Sequence, residues 1–496
     1  MSAFANPALI GRSGSSCTAV SGFPIPDRAA AERLGFALRQ AGYSEDAVHE
    51  LLGEDAYSIE LDEAPAEERR LPDNSLATIV RVFFLQRSVP TSDVVEALGR
   101  PCVEALETMG LAAVGDELVP RVRILPIGRL LVAADGYATG DDPADYVAVY
   151  TPTSRLCDSL TPRPRVARAL DVGTGSGIHA LLAASHAQHV VATDVNRRAL
   201  AFTELNAALN GLTNVECRQG SLFEPVAGET FDLITCNAPY VVSPEQRWAY
   251  RDSGFQADGI SERLVREAAA HLTDGGYATL LVSWVAPDED EPDVRVLDWV
   301  ERTQCDSWIL SIWESDPLGH ASEWNSHLEG EAFDRALDEW TTYFENLDIR
   351  WISEGAVLLH KRPGGGTARV DSVEDDELEV AGEQIQRAFA ARARLAELDV
   401  DDELLDLRLS LAMRLGLEEE VEPRKGRASV VDARVRLSEG TSTELEVEPG
   451  LLEVVASLDG RTSLRKVIEE LELSDLEPDA VRAVRELLEL GALRFH

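Results

Sequence analysis

The sequence predicts an α/β protein, with a doubly wound, mostly parallel sheet at residues 138–365 between two smaller, mostly helical domains at 20–137 and 366–496. Three observations point there. At 496 residues the chain outgrows one ordinary core, and domains of roughly 100–200 residues imply about three. Between 138 and 365, short apolar runs alternate with segments of helical period, and repeated βα units make a parallel sheet with helices on both faces. At the far junction, Gly364-Gly365-Gly366 and the acidic DSVEDDELEV read as a linker.

The elements follow in order. Pro26-Asp27 opens a helix that carries Leu34, Ala37, Leu38 and Ala41 at helical spacing and stops at Gly42. Ser44 caps a second helix, with Val48, Leu51 and Leu52, that stops at Gly53. Residues 75–137 read as three helices, LATIVRVFFLQRSV, VVEALG and CVEALETMGLAAV, then the hairpin-like ELVPRVRILPIGRLLVAAD. That order is similar to a winged helix. The third of these helices, as read, has no Arg or Lys, and a DNA-reading helix needs cations for phosphates. A packing or protein-contact module is therefore the preferred reading.

In the central region RALDVG, HVVATD, NVECRQG, FDLITC, YATLLVSWV, SWILSIWE and IRWISEGAVLLHKR are strands. IHALLAASH, NRRALAFTELNAALNGL, SERLVREAAAHLTDGG and PDVRVLDWVERTQ are helices. The final hairpin-like pair predicts an antiparallel edge strand. An insertion between Ser311 and Asn346 holds Trp313, His320, Trp324 and Trp340, aromatics suited either to a substrate wall or to packing on the sheet. Residues 380–496 open with an Ala/Arg/Leu-rich helix and end as turn, helix, helix, strand. The tail is weakly similar to PqqD-like peptide-binding modules, and a structural cap is the preferred role.

Composition narrows the partners. The formal net charge is −42, and lysine occurs only as Lys361, Lys425 and Lys466. Such a surface disfavours nonspecific contact with phosphate backbones and anionic membranes. The cysteines Cys17, Cys102, Cys157, Cys217, Cys236 and Cys305 form no C-x-x-C pair, so no metal site is expected and a reduced, cytoplasmic protein is. No apolar run approaches the ~20 residues of a membrane span. The first 17 residues lack the features of a signal peptide and are expected to be a loose tail.

The strongest local signal is Ala169-Leu170-Asp171-Val172-Gly173-Thr174-Gly175-Ser176-Gly177-Ile178-His179, a buried strand running through a glycine-rich turn into a helix. Ligands of open α/β sheets sit at such strand ends. The dinucleotide fingerprint needs glycine where Ile178 stands, and a P-loop needs a lysine that is absent. The next strand ends in Asp194-Val195, where a carboxylate can accept both hydroxyls of a ribose or cap the helix starting near Asn196. The third strand ends near Ser221-Leu222. The fourth ends in Asn237-Ala238-Pro239-Tyr240.

This G-x-G-x-G turn behind an acidic residue resembles motif I of class I methyltransferases, and Asn237-Ala238-Pro239-Tyr240 resembles the N-P-P-Y motif of amino-group methyltransferases. Val149-Tyr150-Thr151-Pro152 and Gly254-Phe255-Gln256-Ala257-Asp258-Gly259 are similar to the V-Y-x-P and G-x-x-x-D-G stretches of the HemK/PrmC-like glutamine methyltransferases. The resemblance covers under half the chain. It implies the class I methyltransferase sheet and S-adenosyl-L-methionine as cofactor. Asp171 would hold the methionine end and its surroundings. The backbone of Gly173, Thr174, Gly175 and Gly177 would pass under the cofactor, with Asp194 and Val195 at the ribose and Ser221 or Leu222 at the adenine.

Asn237 and the carbonyl of Ala238 would accept the N–H groups of a planar amide or amino nitrogen, turning its lone pair toward the methyl. Pro239 would stiffen the turn and Tyr240 would offer a π-face. Ala238 departs from the family's proline at a position used through its backbone. Tyr150 and Pro152 are candidate substrate contacts. Family members methylate glutamine in release factors, so a release-factor-like protein is the expected partner. Relatives with the same motif methylate nucleic-acid bases, and a small-molecule or peptide nitrogen is a further alternative. The acidic composition favours the protein.

Overall fold

The structure is a computed structural model that describes residues 24–138, 142–244, 256–374, 378, 380–398, 401–424 and 427–496. Gly254 and Phe255 of the G-x-x-x-D-G stretch lie outside these residues, as do Cys17 and the tail.

The central sheet has eight strands: β1 (Val166–Val172), β2 (Ala187–Asp194), β3 (Val215–Gln219), β4 (Phe231–Cys236), β5 (Leu272–Ala286), β6 (Asp306–Ser315), β7 (Trp351–His360) and β8 (Ala368–Ser372). Their order is β3-β2-β1-β4-β5-β7-β6-β8, and β3 through β5 pair in parallel. Helices α1 (Pro152–Leu160), α2 (Ile178–Ala183), α3 (Arg197–Leu209), α4 (Gly259–His271) and α5 (Val294–Glu301) connect and cover it. Two further helices, α6 (Pro317–Trp324) and α7 (Glu331–Asn346), form the insertion between β6 and β7. The interior parallel strands β4 and β5 are mostly buried, as a doubly covered sheet requires, while the edge strand β3 carries Glu216, Arg218 and Gln219.

The antiparallel strand is not at the edge as expected. β7 lies between β5 and β6 and pairs antiparallel with both, from Tyr277↔His360 to Ala286↔Trp351 on one side and from Asp306↔His360 to Ser315↔Ile352 on the other. Its residues 352–360 are all buried, the signature of an interior strand. The edge is taken by β8, which pairs parallel with β6 and comes from the stretch read as linker.

In the N-terminal region the first two helices run Arg28–Gln40 and Glu45–Leu52, with the side chains of Asp27 and Ser44 capping them. The third helix of the later trio starts at Arg100, not past it, and ends at Thr108 before Gly110 with φ +73°. The expected single hairpin is two pairings. Residues 117–120 pair with 112–114 and with 89–90, while 122–127 pair with 130–135. The C-terminal region is less helical than expected. It has two three-stranded antiparallel sheets, one of 415–424, 427–437 and 444–447, the other of 459–463, 408–411 and 493–495. The period-two signal was present in Ala433-Arg434-Val435-Arg436-Leu437, whose burial alternates.

Both flanking regions share cores with the sheet. Leu34, Leu38, Ile124 and Val132 pack with Phe202 and Leu205 of α3. Asn206 and Asn210, one turn apart on α3, act as a stand-in strand. Asn206 accepts from the Ala133 N–H at 2.7 Å and donates to the Ala133 carbonyl at 2.7 Å, and Asn210 does the same with Leu131 at 3.0 and 2.8 Å. Buried Arg198 clasps buried Asp135 beside them. On the other face the helix Gly382–Leu395 lays Ile385, Ala388 and Phe389 on Trp308, Leu310, Ala356 and Leu358.

Candidate active site

At the end of β1 the backbone turns through Gly173, Gly175 and Gly177 at φ +68°, +55° and +86°. Side chains are strained there, and space excludes them too. A Cβ on Gly173 would sit 3.1 Å from Ala238 Cβ, and one on Gly177 2.8 Å from Thr203 Cγ2. Nothing lies within 4 Å of the Cβ position of Gly175, so the crest of the turn is open. Asp171, 1% exposed, pins the turn from below. Its Oδ2 accepts from Thr174 Oγ1 at 2.6 Å and Ala180 N at 3.1 Å, and its Oδ1 from Thr235 Oγ1 at 2.9 Å. Thr174 is buried with it.

Asp194 stands at the rim where β2 ends. Its Oδ2 accepts from Gly175 N at 3.0 Å and its Oδ1 from Asn196 N at 2.8 Å. The helix itself is capped by Asn196, whose Oδ1 accepts from Arg198 N at 2.9 Å, so Asp194 fixes the turn before it and not the helix end. Burial raises the pKa of Asp194 against the backbone N–H groups of Asn196, Gly175 and Val195, which lower it. Val195 beside it is exposed. Ser221 and Leu222 reach the same rim. Gly220 N donates to the Asp194 carbonyl at 3.0 Å and Thr193 Oγ1 to the Leu222 carbonyl at 3.2 Å. Leu222 holds φ +49°.

Across the turn, Asn237 follows the last residue of β4. Its Nδ2 donates to Thr153 Oγ1 at 3.3 Å and approaches Ser154 Oγ at 3.5 Å. Both hydroxyls belong to the first turn of α1, where Thr151 caps and Pro152 takes the first helical position. Thr151 Oγ1 ties them together, at 2.9 Å from Thr153 Oγ1 and 3.0 Å from Ser154 Oγ. With its nitrogen so engaged, Asn237 Oδ1 has no hydrogen-bond partner among the described residues. Ala238 is buried under the turn and Pro239 half-buried.

Tyr240 differs from expectation. Its ring is 5% exposed and packs with Leu156, Cys157, Leu160 and Leu281, which leaves little of its face for an acceptor. Burial pushes its phenol pKa well up. Tyr150 is half-buried against the N-terminal core, and Pro152 is exposed at the tip of α1. Asp171, Gly173 to Gly177, Asp194, Val195, Ser221, Leu222 and Asn237 to Pro239 thus gather at one end of the sheet. Tyr240 anchors from beneath, and Tyr150 and Pro152 flank α1.

Sequence reasoning missed the hydroxyls of Thr153 and Ser154, although Thr-Pro-x-Ser is a recognisable helix start. It also missed what Asp258 does. That carboxylate, 1% exposed, accepts from Val285 N at 3.1 Å and from Arg295 at 2.8 and 2.6 Å, locking α4 to β5 and α5. Among the described residues no group of three or more His, Cys, Asp or Glu is placed to hold a metal ion. No described helix is long and apolar enough to cross a membrane.

Comparison with known proteins bears on this site. Residues 151–289 match the Methyltransferase small domain family, and residues 40–123 match a domain of unknown function, DUF7059. A release factor glutamine methyltransferase of Xylella fastidiosa is 36% identical over 129 residues, 24% of this chain and 47% of that protein. A ribosomal protein uL3 glutamine methyltransferase of Bradyrhizobium diazoefficiens is 38% identical over 174 residues, 32% of this chain and 54% of that protein. Its counterpart from Bordetella pertussis is 42% identical over 185 residues, 33% of this chain and 61% of that protein. The chain spans about half the length of the curated relatives it matches. These matches make the central region a methyltransferase domain that is similar to the HemK/PrmC-like glutamine methyltransferases.

Proposed function

We propose that this methyltransferase domain moves a methyl group from S-adenosylmethionine to the side-chain amide nitrogen of a glutamine in a cytoplasmic protein of the translation machinery. One observation carries the reading. Asn237 is turned by the hydroxyls of α1 so that its carboxamide oxygen, not its nitrogen, is left for an acceptor N–H. The cofactor fits the residues present. The open crest at Gly175 gives its backbone a bed, and Asp194 keeps lone pairs for the two ribose hydroxyls. Ser221 and the backbone at Leu222 would hold the adenine end. Bound there, S-adenosylmethionine supplies a methyl group activated by its sulfonium.

The chain's own residues do the rest by positioning. A glutamine amide is a poor nucleophile because its lone pair is delocalised into the carbonyl. Asn237 Oδ1 accepts one amide N–H and the Ala238 carbonyl the other, which turns the lone pair toward the cofactor side and stabilises positive charge growing on nitrogen. The proton leaves once the nitrogen has gained its methyl and become acidic, so no side-chain base is required. Pro239 stiffens the loop, and Tyr240 anchors it through its buried ring. Two of the relatives' names, for release factors and for uL3, support a protein acceptor. The charge of −42 weighs against the nucleic-acid alternative.

The test is radiolabelled methyl transfer into a lysate, with nuclease and protease arms and mass spectrometry of the labelled species. Methylglutamine in a protease-sensitive, nuclease-resistant product is expected. Label lost to nuclease and kept through protease would overturn the acceptor class.

A further inference from the structure

Beyond Tyr240 the acceptor loop continues through Val241 and Val242, and the insertion between β6 and β7 is built on these two residues. They pack with Val285 and Ile352 of the sheet, Ala321 of α6, and Trp340 and Phe344 of α7. His320 of α6 lies inside this cluster, 2% exposed, its ring centroid 5.8 Å from those of both Trp340 and Phe344. Its Nε2 is 3.1 Å from the Val242 carbonyl oxygen. A carbonyl only accepts, so Nε2 carries the hydrogen. Nδ1 faces Glu354 Oε1 at 3.8 Å, and Trp324 Nε1 donates to that same oxygen at 3.2 Å. Burial holds the Glu354 carboxyl protonated up to a pKa of about 8, helped by Glu323.

What His320 holds is packed by its side chains but has little backbone hydrogen bonding of its own. Among the described residues no backbone–backbone hydrogen bond crosses Pro239 to Val242. The loop has left the β4 ladder, and two of its carbonyls are taken by side chains: Tyr240's by Ser283 Oγ of β5, Val242's by His320. Alternate residues are thus tied to the sheet on one side and to the insertion on the other. A carbonyl aimed at an acceptor nitrogen is only as well placed as the loop that bears it.

We propose that His320 is a positioning residue for methyl transfer, its Nε2–H on the Val242 carbonyl fixing the far end of the loop that carries Asn237 and Ala238. This rests on the proposal that Asn237 and Ala238 orient the acceptor, but not on the acceptor's being glutamine. The insertion is then part of the catalytic apparatus rather than an ornament on the sheet.

The experiment uses the full chain, tritiated S-adenosylmethionine and lysate as acceptor, with Vmax and the KM for S-adenosylmethionine measured for His320→Phe and His320→Gln. Phenylalanine keeps the aromatic packing and loses the donor, and glutamine brings a donor back near Nε2. Expected are a Vmax fall on the order of 10-fold or more in His320→Phe, an unchanged KM for S-adenosylmethionine, and recovery in His320→Gln. Wild-type Vmax in His320→Phe overturns the proposal, as does an equal loss in both variants with weakened cofactor binding. Should His320→Phe fail to fold, nitrogen NMR of the histidine-labelled wild type decides. A hydrogen-bonded Nε2–H tautomer at His320 supports the bond, and an Nδ1–H tautomer refutes it. Nuclease and protease arms report the acceptor class separately.

Discussion

Glu354→Gln should make the protein more stable at alkaline pH, and the structure sets how much. Glu354 is 4% exposed on β7, and its carboxyl is raised from the usual 4.5 to about 8. Burial is the main cause, and the charge of Glu323 adds to it. The groups around it are Glu323, His320 and Trp324 on α6 and the phenol of Tyr240, which burial keeps neutral. A folded pKa above the unfolded one means that the folded state binds the extra proton between the two. The associated stability is whole below about pH 4.5 and is lost as pH climbs through 8. At about 1.36 kcal/mol per pH unit, the full loss is roughly 3–5 kcal/mol. Glutamine has nothing to ionise, and its amide oxygen still accepts from Trp324. Urea midpoints at pH 5, 7 and 9 should therefore fall less steeply for the variant, with the curves drawing apart between pH 5 and 8 and running parallel beyond. Curves parallel throughout would mean that Glu354 is not the buried acid described.

The other predictions concern the site and the way the domains are joined. Asp194→Ala should weaken S-adenosylmethionine binding by roughly 1.5–3 kcal/mol by calorimetry, and unchanged affinity would remove Asp194 from the ribose site. Asn237→Ala should bind the cofactor normally and lose on the order of 100-fold in turnover, so near-wild-type turnover would end the loop mechanism. Tyr240→Phe should keep the fold while Tyr240→Ala costs roughly 3–5 kcal/mol of stability, because the ring is core; equal thermal midpoints would show otherwise. A fragment of residues 138–365 should aggregate rather than bind cofactor, since it bares Trp308, Leu310, Ala356 and Leu358. A monodisperse, cofactor-binding fragment would contradict the shared core.

What the sequence made legible was local. The glycine turn announces itself because its three positive φ angles need a residue type, and Asp194 because it ends an apolar strand one βα unit on. Helix starts at Asp27 and Ser44 were readable because a cap bonds three residues away. The interior position of β7 was not readable, because strand order is a matter of which distant edges meet, and a hairpin-like pair looks the same at an edge or inside. His320 and Glu354 are 34 positions apart and ordinary in their own segments. Only the packing of α6 against β7 makes them a unit. Asn206 and Asn210 are ordinary polar residues in their own segment, and nothing local shows that they complete a neighbour's backbone pairing. The burial of Tyr240 was not readable, because a motif specifies a residue but not which way its ring turns.

The helix Gly382–Leu395 covers strands that were made well before it. On the ribosome, Trp308, Leu310, Ala356 and Leu358 emerge first, and Phe389 follows Leu358 about thirty residues later. At 5–20 residues per second that is an interval of roughly 2–6 s. For that time a newborn sheet presents an oily flank, while the amino-terminal half, its hairpin already served by Asn206 and Asn210, can settle. Rare codons between positions 360 and 389 would lengthen the exposure, and a holdase chaperone would find its grip there.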